Sequence, residues 1–579
     1  MSRLNRSPFV LNRGREEKGK RGRGKAFSPF FPFPSSSHLI STLGTVTLLL
    51  SLLVNAASSS IGQTRKSGVW VADQGDGTYK NPILYADYSD PDVIRVGDDF
   101  YLIASSFNCI PGLPILHSKD LVNWTIIAHA LQRQPPEDFF ARPQHGNGVW
   151  APSIRFHNNF FYIYYGDPDF GIYMVKAKNP RGPWSAPLLV KAAKGWIDTC
   201  PFWDDDGQAY LVHAWANSRS GIKSILTINR LSADGTRLLD EGKMVFDGHT
   251  HHPTIEGPKL YKRNGYYYIF APAGGVTTGW QTVLRSRHIF GSYEDKIVMD
   301  RGTTEINGPH QGGWLELKSG ESWFLHFQDR GPVGRVVHLQ PMTWKDDWPV
   351  IGVDADGDGK GEPVLSYSKP NLGTTYPVLV PQTSDEFNRK MLGLQWQWHA
   401  NPKEDWTSLV VRPSYLRMFA VPLPRSEINL WQVPNLLLQK VAAPNFTATT
   451  RVEASQLRDG ERAGLVMMGR DYSYIAALKS ADGLRIVRAT LQDAENQSGE
   501  KEEVVTGRAI TSVYLRLKVE NESITRFSYS TDGIKFEELG GVFTARQGMW
   551  IGAKFGLFAV APNGSSSRGY VDWDWVRVE

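Results

Sequence analysis

Three carboxylates, Asp90, Asp198 and Glu256, stand at matching places in a repeated phrase of this 579-residue chain. Hydrolysis of a glycosidic bond needs one protonated carboxyl to hand a proton to the leaving oxygen. It needs a second carboxylate to activate water or to attack directly. A third carboxylate near the acid raises that acid's proton affinity by like-charge repulsion. Phe107 and Trp150 could wall an apolar pocket for a sugar ring, and Arg335 could bind sugar hydroxyls or tune the acid. Taken singly, most of these residues have a plainer explanation. Asp90 in Asp-Pro-Asp and Asp198 ahead of Pro201 could cap turns. Trp150 alone reads as core and His310 alone as a satisfied structural histidine. Glu256 is harder to set aside, because an ionised group in an apolar setting needs a reason.

The repeat turns the weighing the other way. Its clearest copy, residues 254–270, has a polar opening with Glu256, a short apolar run, Asn264-Gly265 and an aromatic-rich run. Asn-Gly between apolar runs predicts a two-residue hairpin, since both residues tolerate positive φ. The same layout begins at Asp90, at Trp150, at Asp198 and, more weakly, at His310. The openings lie about 50–60 residues apart, the period of propeller blades, each a small sheet set radially about a channel. Equivalent places in a radial repeat face one axis. Three carboxylates, an indole and an imidazole therefore converge on one end of the channel, with Asp198 close to Glu256.

The elements around this repeat follow from composition. The length predicts two to four domains. A hydrophobic content of 41% with 19 tryptophans supplies ample core, and 55 glycines and 35 prolines suit a turn-rich all-β chain. The net charge of +5 sits in the leader: residues 1–57 carry nine Lys/Arg against two Asp/Glu, which leaves −2 for the rest. This composition offers no basic-surface argument for nucleic acid, and none is expected as a partner. Residues 1–38 are basic and Pro/Ser-rich, 39–57 are uncharged and Leu-rich, and Val54-Asn55-Ala56 resembles a small-residue cleavage site. We read a secretory signal and a secreted protein, with an uncleaved membrane anchor through 39–57 as the alternative. Five sequons at Asn123, Asn445, Asn496, Asn521 and Asn563 agree with a secreted glycoprotein. Cys109 and Cys200 are either one disulfide or two buried thiols.

Residues 81–353 form the repeat region, a five-bladed propeller, and 354–383 read as a linker or strap. Within the latter, Asp354-Ala-Asp-Gly-Asp-Gly begins like a calcium loop, but the twelfth position is Leu365 and no helix flanks it, so an acidic turn is expected. From 384 to 579, strand-like runs at 409–411, 446–452, 464–468, 475–479, 514–520 and 524–530 predict a β-sandwich of jelly-roll type.

Several stretches together resemble glycoside hydrolase family 43, in its β-xylosidase and α-L-arabinofuranosidase branches. They are Tyr88-Ser-Asp-Pro-Asp-Val-Ile-Arg-Val-Gly-Asp-Asp-Phe-Tyr-Leu, Gly148-Val-Trp-Ala-Pro, Trp196-Ile-Asp, Ile255-Glu-Gly-Pro and Ser105-Ser-Phe-Asn-Cys-Ile-Pro-Gly-Leu-Pro. Residues 384–579 resemble the concanavalin-like sandwich that often follows. The resemblance implies an inverting mechanism with Asp90 as general base, Glu256 as general acid and Asp198 tuning and orienting the acid. It places Phe107 and Trp150 in the terminal-sugar subsite, Arg335 near the acid, and His310 beside a channel metal, often calcium, which an imidazole would reach through water. No cofactor is otherwise expected. Many family xylosidases have Phe-Glu-Trp-Phe-Pro-Gly where this chain has Phe107-Asn-Cys-Ile-Pro-Gly. Cys109 is therefore expected to remove an aromatic from the pocket rim, which leaves the aglycone preference open. The expected activity is exo-acting removal of β-D-xylosyl units from plant cell-wall xylo-oligosaccharides, with α-L-arabinofuranosidase, alone or bifunctional, as the runner-up. An inactive carbohydrate-binding propeller and a membrane-anchored interaction protein are the remaining alternatives.

Overall fold

Five four-stranded antiparallel sheets, each made of consecutive strands, follow one another between Asp92 and Ile351. They are the five blades of a propeller. The structure is a computed structural model that describes residues 69–424, 429–496, 499–505, 510–566 and 568–579. The leader, the uncharged 39–57 segment and the proposed cleavage site lie outside the described residues. Among the described residues no helix is long and apolar enough to cross a membrane.

The inner strands are Asp92–Val96, Trp150–His157, Trp196–Trp203, Lys259–Arg263 and His310–Glu316. The Asn264-Gly265 turn forms as its chemistry requires: Arg263 pairs with Tyr266, and φ is 51° and 73° at the two turn residues. Blades pack face to face through aromatics; Tyr261, Phe270, Trp314 and Trp344 interleave between the fourth and fifth. Side chains also stitch inner strands together. Asp92 Oδ2 accepts the Ile154 N–H (2.8 Å) and Asp198 Oδ2 accepts the Gly257 N–H (2.8 Å). The joint between the fifth blade and the first carries no connecting loop. It is closed by reciprocal backbone bonds between Leu84 and Val337 (3.3 and 3.1 Å) and by the Tyr88 N–H donating to the Arg335 carbonyl (3.0 Å).

The C-terminal region is a sandwich of two eight-stranded sheets. Observed strands Phe446–Glu453, Arg462–Met468, Tyr472–Ser480, Ser512–Glu520 and Ile524–Ser530 cover five of the six expected runs. The sixth, 409–411, is not a strand. The Ser408 hydroxyl accepts the Val410 and Val411 N–H groups in a turn, leaving those valines 65% and 60% exposed. The sandwich core continues into the propeller, since Tyr85, Val333 and Val336 pack in the same cluster as Trp396 and Trp573. Residues 354–383 run over the propeller: Ser366–Ser368 pairs with Thr78–Lys80, and the Leu379 N–H reaches Asn123 Oδ1 (3.1 Å).

Two expectations are settled here. Cys109 and Cys200 are free, buried thiols. Asn123 is not available to a glycan: it is buried, and its amide nitrogen donates to Asp73 (2.8 Å) and Asp120 (2.7 Å). Asn445, Asn521 and Asn563 are exposed.

Candidate active site

The residues that open the five phrases lie within a few residues of the starts of the inner strands, Asp198 two residues inside its own, and local backbone irregularities aim them. Asp198 falls inside a bulge between Ile197 and Cys200, with φ 59°. Bulges also follow Trp150 and His310. Asp90, immediately ahead of its strand, has φ 54°. Bulges re-aim side chains out of a regular ladder, and Asp tolerates the left-handed region better than most residues. This brings Asp90 and Glu256 into electrostatic reach of Asp198.

Asp90 is buried and held on both oxygens. Arg335 Nη1 donates to Oδ1 (2.7 Å), and the Ser105 and Ser89 hydroxyls donate to Oδ2 (2.6 and 2.9 Å). An ionised carboxylate offers about four acceptor directions. Three are filled by protein, which leaves one for a water. Arg335 was expected near the acid, and the Glu256 charge does act on it, but its direct partner is Asp90. The cause is ring closure, because the tie between Tyr88 and Arg335 carries the arginine onto the Asp90 segment.

Glu256 is the more open carboxyl, with its side chain 31% exposed. The buried His310 shares a hydrogen bond between its Nε2 and Glu256 Oε1 (2.9 Å). Asp198 is buried, and its Oδ2 accepts the N–H of Gly257, the residue after Glu256, so it stands beside Glu256 as expected. Burial, followed by the charges of Glu256 and Asp90, holds the Asp198 carboxyl well above the usual carboxylate range. Lys259, fully buried and bonded to the Pro152 carbonyl and the Ser153 hydroxyl, opposes that shift.

Phe107 and Trp150 come from adjacent blades and are joined through the bridge between Phe107 and Val149. Trp150 is half-buried, donates Nε1–H to the Gly146 carbonyl (2.7 Å), and lies under Arg219. Cys109 is 2% exposed and presents no aromatic at this position. The aromatic at the rim is Trp550 of the sandwich, 52% exposed, with its ring 6.2 Å from that of Trp150. A cleft of about 240 Å³ opens beside Arg335, walled by Asp329 on the propeller side and by Arg470, Gln547, Met549 and Trp550 on the other.

The sequence profile of glycosyl hydrolases family 43 matches residues 79–349, and that of the β-xylosidase C-terminal concanavalin A-like domain matches 384–579. A putative β-xylosidase of Xylanibacter ruminicola is 42% identical over 84% of this chain and 86% of its own length. The chain belongs to glycosyl hydrolase family 43. A non-reducing end α-L-arabinofuranosidase of Bacteroides ovatus is 30% identical over 88% of this chain and 96% of its own. The crystal structure of a family-43 protein from Bacillus licheniformis superposes with a TM-score of 0.74 at 29% identity, covering 86% of this chain and 99% of that one. The propeller and sandwich are thus those of a family-43 glycoside hydrolase.

Within this family-43 site, no cluster of carboxylate ligands surrounds His310 among the described residues, so a calcium there would be met by the imidazole through water. Among the described residues the one cluster of three candidate ligand side chains is Asp354, Asp356 and Asp358. His310 Nε2 is engaged by Glu256, and its buried Nδ1 has no protein partner. One imidazole nitrogen is a poor match for an ion that takes six to eight oxygens. The acidic loop is folded by its own bonds: Asp354 accepts the Gly357 and Gly359 N–H groups (2.8 and 3.1 Å), and Lys360 bridges Asp358 and Asp300 (2.8 and 2.9 Å).

The residues missed in the sequence were Ser89, Ser105 and Arg219. The serines lie inside quoted motifs, but nothing in their spacing marks them as partners of Asp90. Arg219 is placed by Asp169 (2.9 Å) and Asn147 (2.7 Å).

The raised proton affinity of Asp198 has a consequence for stability. Below the ordinary carboxylate range Asp198 is neutral folded or unfolded, so its contribution is then fully present. As pH rises, the unfolded chain ionises first and the folded state loses stability up to its raised pKa. Asp198→Asn lacks that loss and keeps an acceptor for the Gly257 N–H. Its thermal midpoint is expected to exceed the parent's by a few degrees at about pH 7 and to converge with it near about pH 4. Calorimetry at the two pH values checks this.

Proposed function

We propose that this family-43 enzyme is a secreted, exo-acting, inverting β-xylosidase that removes terminal xylosyl units from plant cell-wall xylo-oligosaccharides. Asp90 is the general base. Its carboxylate is locked on three sides and has one acceptor direction left for water. Glu256 is the general acid. Glu256 is the more open carboxyl, its side chain 31% exposed, and it stands beside a buried Asp198 whose own proton affinity is raised by burial and by the Glu256 charge. With Oε1 engaged by His310, Oε2 is the oxygen open to the leaving group. Asp198 tunes the acid and, through the Gly257 N–H, fixes the backbone that carries Glu256.

Phe107 and Trp150 bear on the terminal sugar, and Arg335 acts through Asp90. Trp550 over Trp150 supports attack at a chain end, because it walls the pocket on one side. The observation that carries the reading is the opposition between an arginine-paired Asp90 with one acceptor direction open and a more exposed Glu256 beside the buried Asp198. Secretion is supported by the uncharged 39–57 segment and the exposed sequons. The name of the Bacteroides ovatus relative favours α-L-arabinofuranosidase as the second reading.

The test is proton NMR of the enzyme acting on xylobiose and on an α-arabinofuranoside. Early α-xylose from the β-linked substrate is the expected result. Early β-xylose overturns inversion, release of arabinose alone moves the activity to the second reading, and no release from either overturns both.

A further inference from the structure

Asp87 sits three residues before Asp90, 2% exposed, and its carboxylate joins the two domains. One oxygen accepts the backbone N–H of Arg335 (3.0 Å) in the propeller. The other accepts the N–H of Gly552 in the sandwich (3.1 Å), with Lys554 Nζ at 3.9 Å. Two glycines allow this approach. A Cβ on Gly334, which has φ 87°, would lie 2.6 Å from the Asp87 carboxyl carbon, and one on Gly552 would lie 2.4 Å from the Val333 carbonyl oxygen. The Ala553 N–H adds a bond to the Pro332 carbonyl (2.8 Å). The sandwich turn 548–553 is thus seated on residues 331–335, directly behind the arginine that grips Asp90.

We propose that Asp87 is a positioning residue through which the sandwich sets the orientation of Arg335 and so of the base. This rests on the assignment of Asp90 as base. The guanidinium holds Asp90 Oδ1 and the Ser89 hydroxyl through a single nitrogen, Nη1 (2.7 and 2.8 Å), so its aim depends on where its backbone sits. The Arg335 backbone is fixed by two contacts, its N–H to Asp87 and its carbonyl to Tyr88. Asp87 supplies the first and ties it to the sandwich with the same carboxylate. On this reading the C-terminal domain is part of the catalytic apparatus without touching substrate at this point.

Asp87→Asn keeps the side chain's shape but puts a donor where one N–H now donates. Its kcat on xylobiose is expected to fall about 10- to 100-fold with little change in KM, as a small misplacement of a reacting group does. The loss should be equal on an aryl xyloside, because base positioning is indifferent to the leaving group. In an Arg335→Lys background the same change should add little, since both act along one path. Gly552→Ala, which pushes the sandwich turn off residues 331–335, should reproduce the kcat loss.

A drop in thermal midpoint with kcat retained in Asp87→Asn, or losses that simply add in the double variant, would overturn the proposal. So would a Gly552→Ala protein of full turnover. Asp90→Asn measured alongside separates the two readings. Parental turnover there sinks the base itself, whereas an inactive Asp90→Asn beside a fully active Asp87→Asn sinks only the role of Asp87.

Discussion

Glu256→Gln is expected to lose about 10²- to 10⁴-fold in kcat on xylobiose, the range associated with one acid–base group. The amide fills the same space and can still hydrogen-bond His310 Nε2, so folding should survive. What it cannot do is release a proton to the departing sugar oxygen. A nitrophenyl xyloside leaves as a stabilised phenolate and hardly needs that proton. The loss on the aryl substrate is therefore expected to be much smaller than on xylobiose. The decisive number is the ratio of the two losses; equal losses would remove Glu256 from the role of acid.

Asp90→Asn is expected to behave differently in two respects. The loss of turnover should again be about 10²- to 10⁴-fold but the same for both substrates, since water must be activated whichever group departs. The protein should also be less stable. The substitution leaves the buried Arg335 guanidinium without its carboxylate, with Ser89 as its remaining oxygen partner, and breaking a buried pair from one side costs about 3–5 kcal/mol. Asp90 and Asp198 are carboxylates of one site, yet their asparagine variants should move stability in opposite directions. One carboxylate is compensated by a cation, and the other is crowded by its own kind. Chemical denaturation of the two variants at neutral pH reads the difference directly.

What could be read from the chain, and what could not, divides along sequence distance. The blade period, the Asn264-Gly265 hairpin and the shared register of Asp90, Trp150, Asp198, Glu256 and His310 are local patterns, repeated often enough to be recognised. The partner of Arg335 is not local. It lies 245 residues away and meets the arginine only because a closed ring sets its first and last blades side by side. The aromatic beside Trp150 is supplied by Trp550 of the other domain, which no blade-level pattern points to. Residues 409–411 are apolar enough to look like a strand, but the hydroxyl of Ser408 captures their N–H groups before a neighbouring strand can. Asn123 satisfies the sequon rule and fails on burial, a property of the packed strap rather than of three residues.

The ring has one further property. Four of its five joints are crossed by the chain, so those blades stay tethered even when their contacts loosen. The fifth, between last blade and first, is held by non-covalent bonds, and the ion pair of Asp90 and Arg335 lies on it. Any breathing of the propeller that begins at this untethered seam pulls the two residues apart before a blade is lost. Turnover should then fade ahead of the spectroscopic signs of melting, which makes activity the earliest gauge of an ageing preparation.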